Sequence, residues 1–205
     1  ISVPPSCAAK WLVPRIERFV EQHPDMQVRV FAAMQLVDFT QENIDLAIRF
    51  GRGDYPDLVS EKLLDEHVYP ACAPSLLERY EIRTAADLVN LPLIHDEAPD
   101  VDDGCPTWEM WLKAAGIDHP DPERGLHFNQ SSLAIEAALA GKGVVLAKAA
   151  IAAADLEAGR LVRLFNSTHA VEFSYYLVAP EPQWRQKKVQ TFVNWLRAEA
   201  AQHQG

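Results

Sequence analysis

The sequence predicts an α/β protein made of two lobes, each carrying its own sheet, with a cleft between them. Three observations lead there. Short apolar runs of strand length alternate with segments of helical period along the whole chain. That alternation breaks once, at two successive extended stretches, residues 58–64 and 67–73, and then starts again. A last strand-like run, residues 171–179, precedes an amphipathic helix with Val189, Phe192, Val193 and Leu196 at i, i+3, i+4 and i+7. If this last strand rejoins the first sheet, the chain crosses between lobes twice, near residues 70–73 and 167–172. The expected lobes are then residues 1–70 plus 173–205, and residues 71–172.

Each element has its local reason. Ile1 to Val3 read as a short strand, and a helix follows from about Cys7 to Gln22, with Leu12, Ile16, Phe19 and Val20 at helical spacing and Pro14 interrupting or kinking it. His23-Pro24-Asp25 ends that helix. Residues 27–31 alternate as a second strand, a brief helix is expected around 37–42, and residues 44–50 form a third strand. This β-α-β-α-β order calls for parallel strands and right-handed crossovers. In the second lobe helices are expected at 75–80, 84–89, 107–115 (ended by Gly116) and 131–140 (ended by Gly141), with an alanine-rich helix after 147. Strands are expected at 92–95, 126–128, 144–147 and 161–164.

Composition removes several classes of function. With 205 residues, 48% hydrophobic and 23% charged, the chain is ordinary globular material long enough to bury a substantial core. Nineteen Lys and Arg against 29 Asp and Glu leave a net charge of -10. Nucleic acid needs clustered cations at its phosphates, so any DNA contact must lie outside these residues. No apolar run approaches the roughly 18–20 residues that cross a bilayer, so no membrane partner is expected. The opening Ile-Ser-Val-Pro-Pro, without Met, is what a fragment of a longer polypeptide or a mature chain without its leader would have. Three cysteines, an odd number, point to a reducing compartment rather than a disulfide framework. Cys7, beside a helix start, is a candidate for a reactive low-pKa thiol, with simple packing as its plainer role. Cys105 follows Asp102 and Asp103, whose charges disfavour a thiolate.

Motifs for covalent or metal chemistry are missing. In "NIDLAIRFGRGDYPDL", residues 43–58, a strand runs into Gly51-Arg52-Gly53, but Asp54, Tyr55 and Pro56 follow where a phosphate loop would start a helix. No Gly-x-Ser-x-Gly elbow occurs, and the seven histidines lack His-Glu-x-x-His or paired-cysteine spacing. Asp100, Asp102, Asp103 and Gly104 fit a calcium loop badly. No catalytic residue, cofactor or metal is therefore expected. A hydrolase or transferase would need a base beside Ser6 or Ser131, and only His95 offers itself.

Binding residues are better supported. Ser6 stands at the carboxyl end of the first strand, and Ser131 and Ser132 follow a strand of the second lobe; such positions, beside helix starts, hold polar ligands or cap the helix. His95 ends a strand and is read as a cleft-facing candidate or a satisfied buried histidine. Trp108 and Trp111, three apart, face the core or stack on a ligand. Arg49 pairs with Asp45 on the same strand face or with an anionic ligand.

Longer stretches carry a family resemblance. "WLVPRIERFVEQHPDMQVRV" (residues 11–30), "LVDFTQENIDLAIRFGRGDYPDLVSEKLLDE" (36–66), "WEMWLKAAG" (108–116), "FNQSSLAIEAALAGKGVVLA" (128–147), "GRLVRLF" (159–165) and "SYYLVAP" (174–180) resemble the effector-binding region of LysR-type transcriptional regulators. The match is closest in character to the subgroup of the glycine-cleavage activator and the β-lactamase regulators. The resemblance implies two Rossmann-like lobes in a type 2 periplasmic-binding-protein-like fold, a small-molecule effector, a winged helix-turn-helix outside these residues, and dimers or tetramers in the bacterial cytoplasm, with RNA polymerase as a possible partner. It also implies effector-sensitive positions at Ser6, Asp38, one of Ser131 and Ser132, and Tyr175. Pro5 departs from the glycine those relatives carry. The alternative expectation from the same fold is a periplasmic solute-binding protein serving a transporter.

Overall fold

β1 (Ser2–Val3) lies between two parallel neighbours, β2 (Phe31–Ala32) and β3 (Ala47–Gly51), with Ser2 level with Phe31 on one side and Ala47 on the other. The computed structural model describes residues 1–35, 38–39, 43–98, 107–166 and 169–203. Most of the helix expected around 37–42 lies outside the described residues, as do the acidic stretch from Asp100 to Gly104 and Cys105. The backbone groups into two compact units, residues 1–66 with 172–205, and residues 67–171.

The first helical stretch starts earlier than expected. Pro5 occupies its first position, where a missing N–H costs nothing, and α1 (Pro5–Cys7) runs directly into a π-helical turn over Ala8–Leu12 and then α2 (Val13–Gln22). Pro14 explains the π turn. In an α-helix its ring would meet the carbonyl four residues back, and widening the coil by one residue, with Val13 N–H donating to Ala8 O, moves that carbonyl away. The helix therefore passes Pro14 without breaking. Arg15 completes the turn by donating to the Trp11 carbonyl at 2.9 Å.

The first sheet runs β2-β1-β3-β11-β4, where β4 is Val59–Leu64 and β11 is Ser174–Ala179. β11 returns antiparallel to both neighbours and pairs Tyr176 with Arg49 and with Lys62. The second expected strand is reduced to Phe31–Ala32, exposed on the sheet edge. Aromatic contacts seal the helical side: Phe19 on α2 meets Phe192 edge-on at 4.7 Å and Trp195 at 5.3 Å on α8 (Lys187–His203). Arg18 pairs with buried Glu199 across the same helices. Asp45 pairs with Lys188 at 2.7 Å, while buried Arg49 donates to Ser2 Oγ and Ile48 O. The expected Asp45–Arg49 pair is thus not made, because β3 begins only at Ala47 and Asp45 precedes it.

After β3 the chain bends. Gly53 has φ +88°, and a Cβ there would lie 2.4 Å from the Tyr176 ring, so only glycine fits. β4 follows with no intervening helix, so these glycines shape a strand-to-strand turn and present no helix start to a phosphate.

The second sheet runs β10-β5-β8-β6-β7, with β9 also on β5: β5 is His67–Cys72, β6 Leu93–Asp96, β7 Gly125–Phe128, β8 Val144–Lys148, β9 Val162–Arg163 and β10 His169–Ala170. β6 is parallel to β7 and β8, whereas β5 is antiparallel to β8. α3 (Pro74–Leu77), a 3-10 segment (Ala85–Asn90), α4 (Trp108–Ala114), α5 (Ser131–Leu139), α6 (Ala149–Glu157) and, near the chain end, α7 (Glu181–Trp184) complete the described helices. Thr84 and Asp87 form a reciprocal capping box at the 3-10 start. Trp108 and Trp111 are buried core residues in edge-to-face contact, and Trp108 Nε1–H donates to Ile94 O at 2.9 Å, locking α4 to β6. The core reading of that pair is the one realised.

The β6–β7 ladder is tight at Gly125, where a Cβ would lie 2.0 Å from Leu93 O. Gly125→Ala should therefore cost about 1–3 kcal/mol or more by forcing the strands apart. At about 2–4 °C per kcal/mol for a chain of this size, a circular-dichroism melt should show a clear drop in Tm; an unchanged Tm would contradict this strand pairing.

Candidate functional site

The three parallel strands β6, β7 and β8 end together, and the polar residues at those ends converge on Lys148. It is the last residue of β8, a lone cation behind a fully buried apolar strand. Its side chain is only 5% exposed and donates to Asp96 Oδ2 at 2.7 Å, Ala98 O at 2.6 Å and Ser131 Oγ at 2.8 Å. Asp96 closes β6 and in turn accepts from the Ala98 N–H at 3.1 Å. Ser131 opens α5, one turn past β7. A buried ammonium is tolerable only when its charge is paired and its protons find acceptors, and this arrangement supplies both.

Ser131, singled out from the sequence, is buried and held by that cation. Its oxygen accepts from Lys148, which leaves its own proton to be donated elsewhere. Ser132 follows on the same turn and is half-buried. His95 lines the same cavity as Lys148 and Asp96, a space of about 90 Å³. Its ring approaches the Arg124 backbone carbonyl, while its Nε2 is buried and makes no well-formed hydrogen bond. The ring stacks on His127, centroids 4.2 Å apart and planes 4° from parallel. Burial, then the His127 charge, hold the His95 pKa below its ordinary value. His127 moves the other way, raised by hydrogen bonds to the Glu123 carbonyl and the Glu97 carboxylate.

In the first unit, Ser6 lies in the first turn of α1, ahead of the intrahelical ladder that starts with Ala8 N–H donating to Pro4 O. β1 runs parallel to β3 and β11 antiparallel to it, so the end of β1 and the start of β11 share one end of the sheet. Ser6 and Tyr175 are thereby brought to that end. Tyr175 is only 3% exposed and its ring packs on Phe50 at 4.8 Å. Asp38 is exposed, outside any regular element. Cys7 is fully buried; desolvation and then the charge of Glu66 push its thiol up, the opposite of the reactive thiol entertained from sequence, because its neighbours are core groups. Burial likewise pushes Cys72 up to about 11.

Sequence reasoning missed Lys148, Asp96 and His127. A signal for Lys148 existed: a single cation at the end of "VVLA", where burial of Lys is rare without a partner. Nothing local marked His127, whose neighbour His95 is 32 residues away along the chain.

A family model for the LysR substrate binding domain matches residues 1–201. The chain is 35% identical to the glycine cleavage system transcriptional activator of Escherichia coli strain K12, over 100% of this chain and 65% of that protein. It is 30% identical over 189 residues to the HTH-type transcriptional activator AmpR of Citrobacter koseri, 92% of this chain and 62% of that protein. The chain thus spans slightly less than two thirds of the length of these relatives. The solved effector domain of AmpR from Pseudomonas aeruginosa matches with TM-score 0.78 and 29% identity, covering 98% of this chain and 93% of that one. The AmpR effector binding domain from Citrobacter freundii matches with TM-score 0.80 and 25% identity, covering 98% and 96%. The expected two-lobed α/β architecture, of the type 2 periplasmic-binding-protein-like kind, is the one found. By its match over residues 1–201 and the shared fold, this chain belongs to the LysR substrate-binding domain family.

Proposed function

We propose that this chain is the effector-sensing region of a LysR-type DNA-binding transcriptional regulator, working as a homodimer or homotetramer in the bacterial cytoplasm, without enzymatic activity. The observation that carries this reading is the Ser131–Lys148–Asp96 cluster at the carboxyl ends of three parallel strands. Open α/β sheets collect ligands at such ends. Ser131 has a proton to donate and sits at a helix start whose dipole favours negative charge, so a carboxylate is the group best matched to it. The effector is accordingly a small molecule with a carboxylate: an amino acid, an organic acid or a peptide. Ser6, Asp38, His95, Ser132 and Tyr175 are its further proposed contacts, with Asp38 suited to an ammonium.

The net charge of -10 leaves DNA to a helix-turn-helix domain outside these residues, and RNA polymerase to the whole regulator. The effector acts by differential affinity for two arrangements of the domain, which the attached DNA-binding part reads as a change of geometry. Relatives described as transcriptional activators favour this reading over a transporter's solute-binding protein. No described helix is long and apolar enough to cross a membrane.

A thermal-shift screen against amino acids, small carboxylates and cell-wall peptides tests the proposal. At a hundredfold its dissociation constant a ligand adds about 2.7 kcal/mol, which here means a rise of roughly 5–10 °C. That rise should vanish in Ser131→Ala and shrink in Ser6→Ala; a shift untouched by either change would place the ligand elsewhere. Lys148→Met should separate positioning from binding. It strands the Asp96 carboxylate and should cost about 3–5 kcal/mol, part of which Asp96→Asn in the same chain should restore. For the whole regulator, a gel-shift assay on its own promoter region should show DNA binding that the effector alters. Failure to bind that DNA in either state would end the regulator reading.

A further inference from the structure

We propose that His95, His127 and Glu123 form a binding site for a divalent transition-metal ion of the Zn²⁺ class, with Glu97 as the residue that positions His127. The register of two strands creates the site. β6 and β7 are parallel and pair His95 with His127, so both side chains leave the same face of the sheet one strand spacing apart. Glu123 stands two residues before β7, and one donor atom from each of the three side chains lies within 4.8 Å of the others. These three residues line the cavity of about 90 Å³ described above, which has room for an ion and a water.

A second observation points to a ligand. His95 is 7% exposed and its ring approaches the Arg124 backbone carbonyl, yet its Nε2 is buried and makes no well-formed hydrogen bond. A buried ring nitrogen in that condition is costly to leave bare, and in a neutral imidazole the nitrogen without a proton carries the lone pair that a metal takes. His127 is oriented in the way that metal-binding histidines are: its Nδ1 meets Glu97 Oε1 at 2.8 Å, which leaves Nε2 as the coordinating atom. That Nε2 now rests 2.8 Å from the Glu123 carbonyl oxygen and would exchange this contact for the ion.

The donor set decides the class of ion. Two imidazoles and one carboxylate suit Zn²⁺, Co²⁺, Ni²⁺ or Cu²⁺, whereas Mg²⁺ and Ca²⁺ ask for oxygen ligands throughout. Metal–nitrogen bonds of about 2.0–2.1 Å in a tetrahedron set donors roughly 3.3 Å apart. Closing from the present spacing requires rotation of exposed Glu123. Because lone pairs lie in the ring plane while the two imidazoles stack parallel, it also requires a tilt of His127 about its Glu97 contact that gives up the Glu123 carbonyl. Three protein ligands leave one position open. His95 also precedes Asp96, which holds Lys148, so an ion on His95 would stiffen the strand end that carries the polar cluster. The metal site stands on its own geometry and does not require the effector reading.

The test uses this chain without a histidine tag, stripped with a chelator and titrated with Zn²⁺ by calorimetry and with Co²⁺ by visible absorption. One saturable equivalent, a Co²⁺ ligand-field band and a raised Tm are expected, with no response to Mg²⁺. His127→Ala and Glu123→Ala alter exposed side chains and should fold normally by circular dichroism, yet weaken binding at least about tenfold and abolish the band. Glu97→Gln should keep the stoichiometry while weakening affinity by about 10–100-fold. Absence of a saturable equivalent would overturn the proposal, and so would binding that survives both His127→Ala and Glu123→Ala, or an equal response to Mg²⁺.

Discussion

Everything in the first unit depends on β11 lying between β3 and β4. Those two strands are consecutive in the chain and joined by a short turn, yet they do not pair with each other; residues 174–179 fill the space, hydrogen-bonded on both sides. Without β11 each would present an unpaired edge in the middle of a sheet, with its backbone groups unsatisfied. The whole second unit is therefore an insertion between β4 and the strand that completes the first sheet. Such a pairing must close a loop of more than a hundred residues, from Leu64 to Ser174, an entropic cost that the two ladders of β11 help to offset.

The same logic governs the polar residues. Lys148, Asp96 and Ser131 come from three separate places in the sequence, and each would be a burial cost alone. Parallel pairing of β6 with β7 and β8 brings their carboxyl ends level, and only then does the ammonium find its acceptors. The result is a rigid polar floor with one adaptable donor. The cluster has that form, with Lys148 and Asp96 holding each other and Ser131 keeping a proton to give.

Local chemistry made much of this legible in advance. The π turn at Pro14 shows how: proline announced a disturbance, and the helix absorbed it by one wider turn instead of breaking, an outcome that depended on Trp11, Leu12 and Phe19 being buried on either side. The strand at 27–31 shrank to two residues at 31–32 because, at an exposed sheet edge, alternation alone has no core to face. Ser131 was visible as a serine at a strand-to-helix junction. Lys148 at a strand end reads as solvated, and only the fold buries it.

The sequence by itself determined the α/β class, the restart of the pattern in a second unit, the returning strand, the turn glycines and the family, since periodicity, breakers and ordered motifs are properties of neighbouring residues. The tertiary structure alone decided who meets whom: Asp45 with Lys188 rather than Arg49, Lys148 with Asp96, His95 with His127, and Cys7 sealed in the core. The reason is physical. Strand register is set by the summed packing of whole faces, and a shift of one residue would send His95, Asp96, His127 or Lys148 to the opposite side of its sheet.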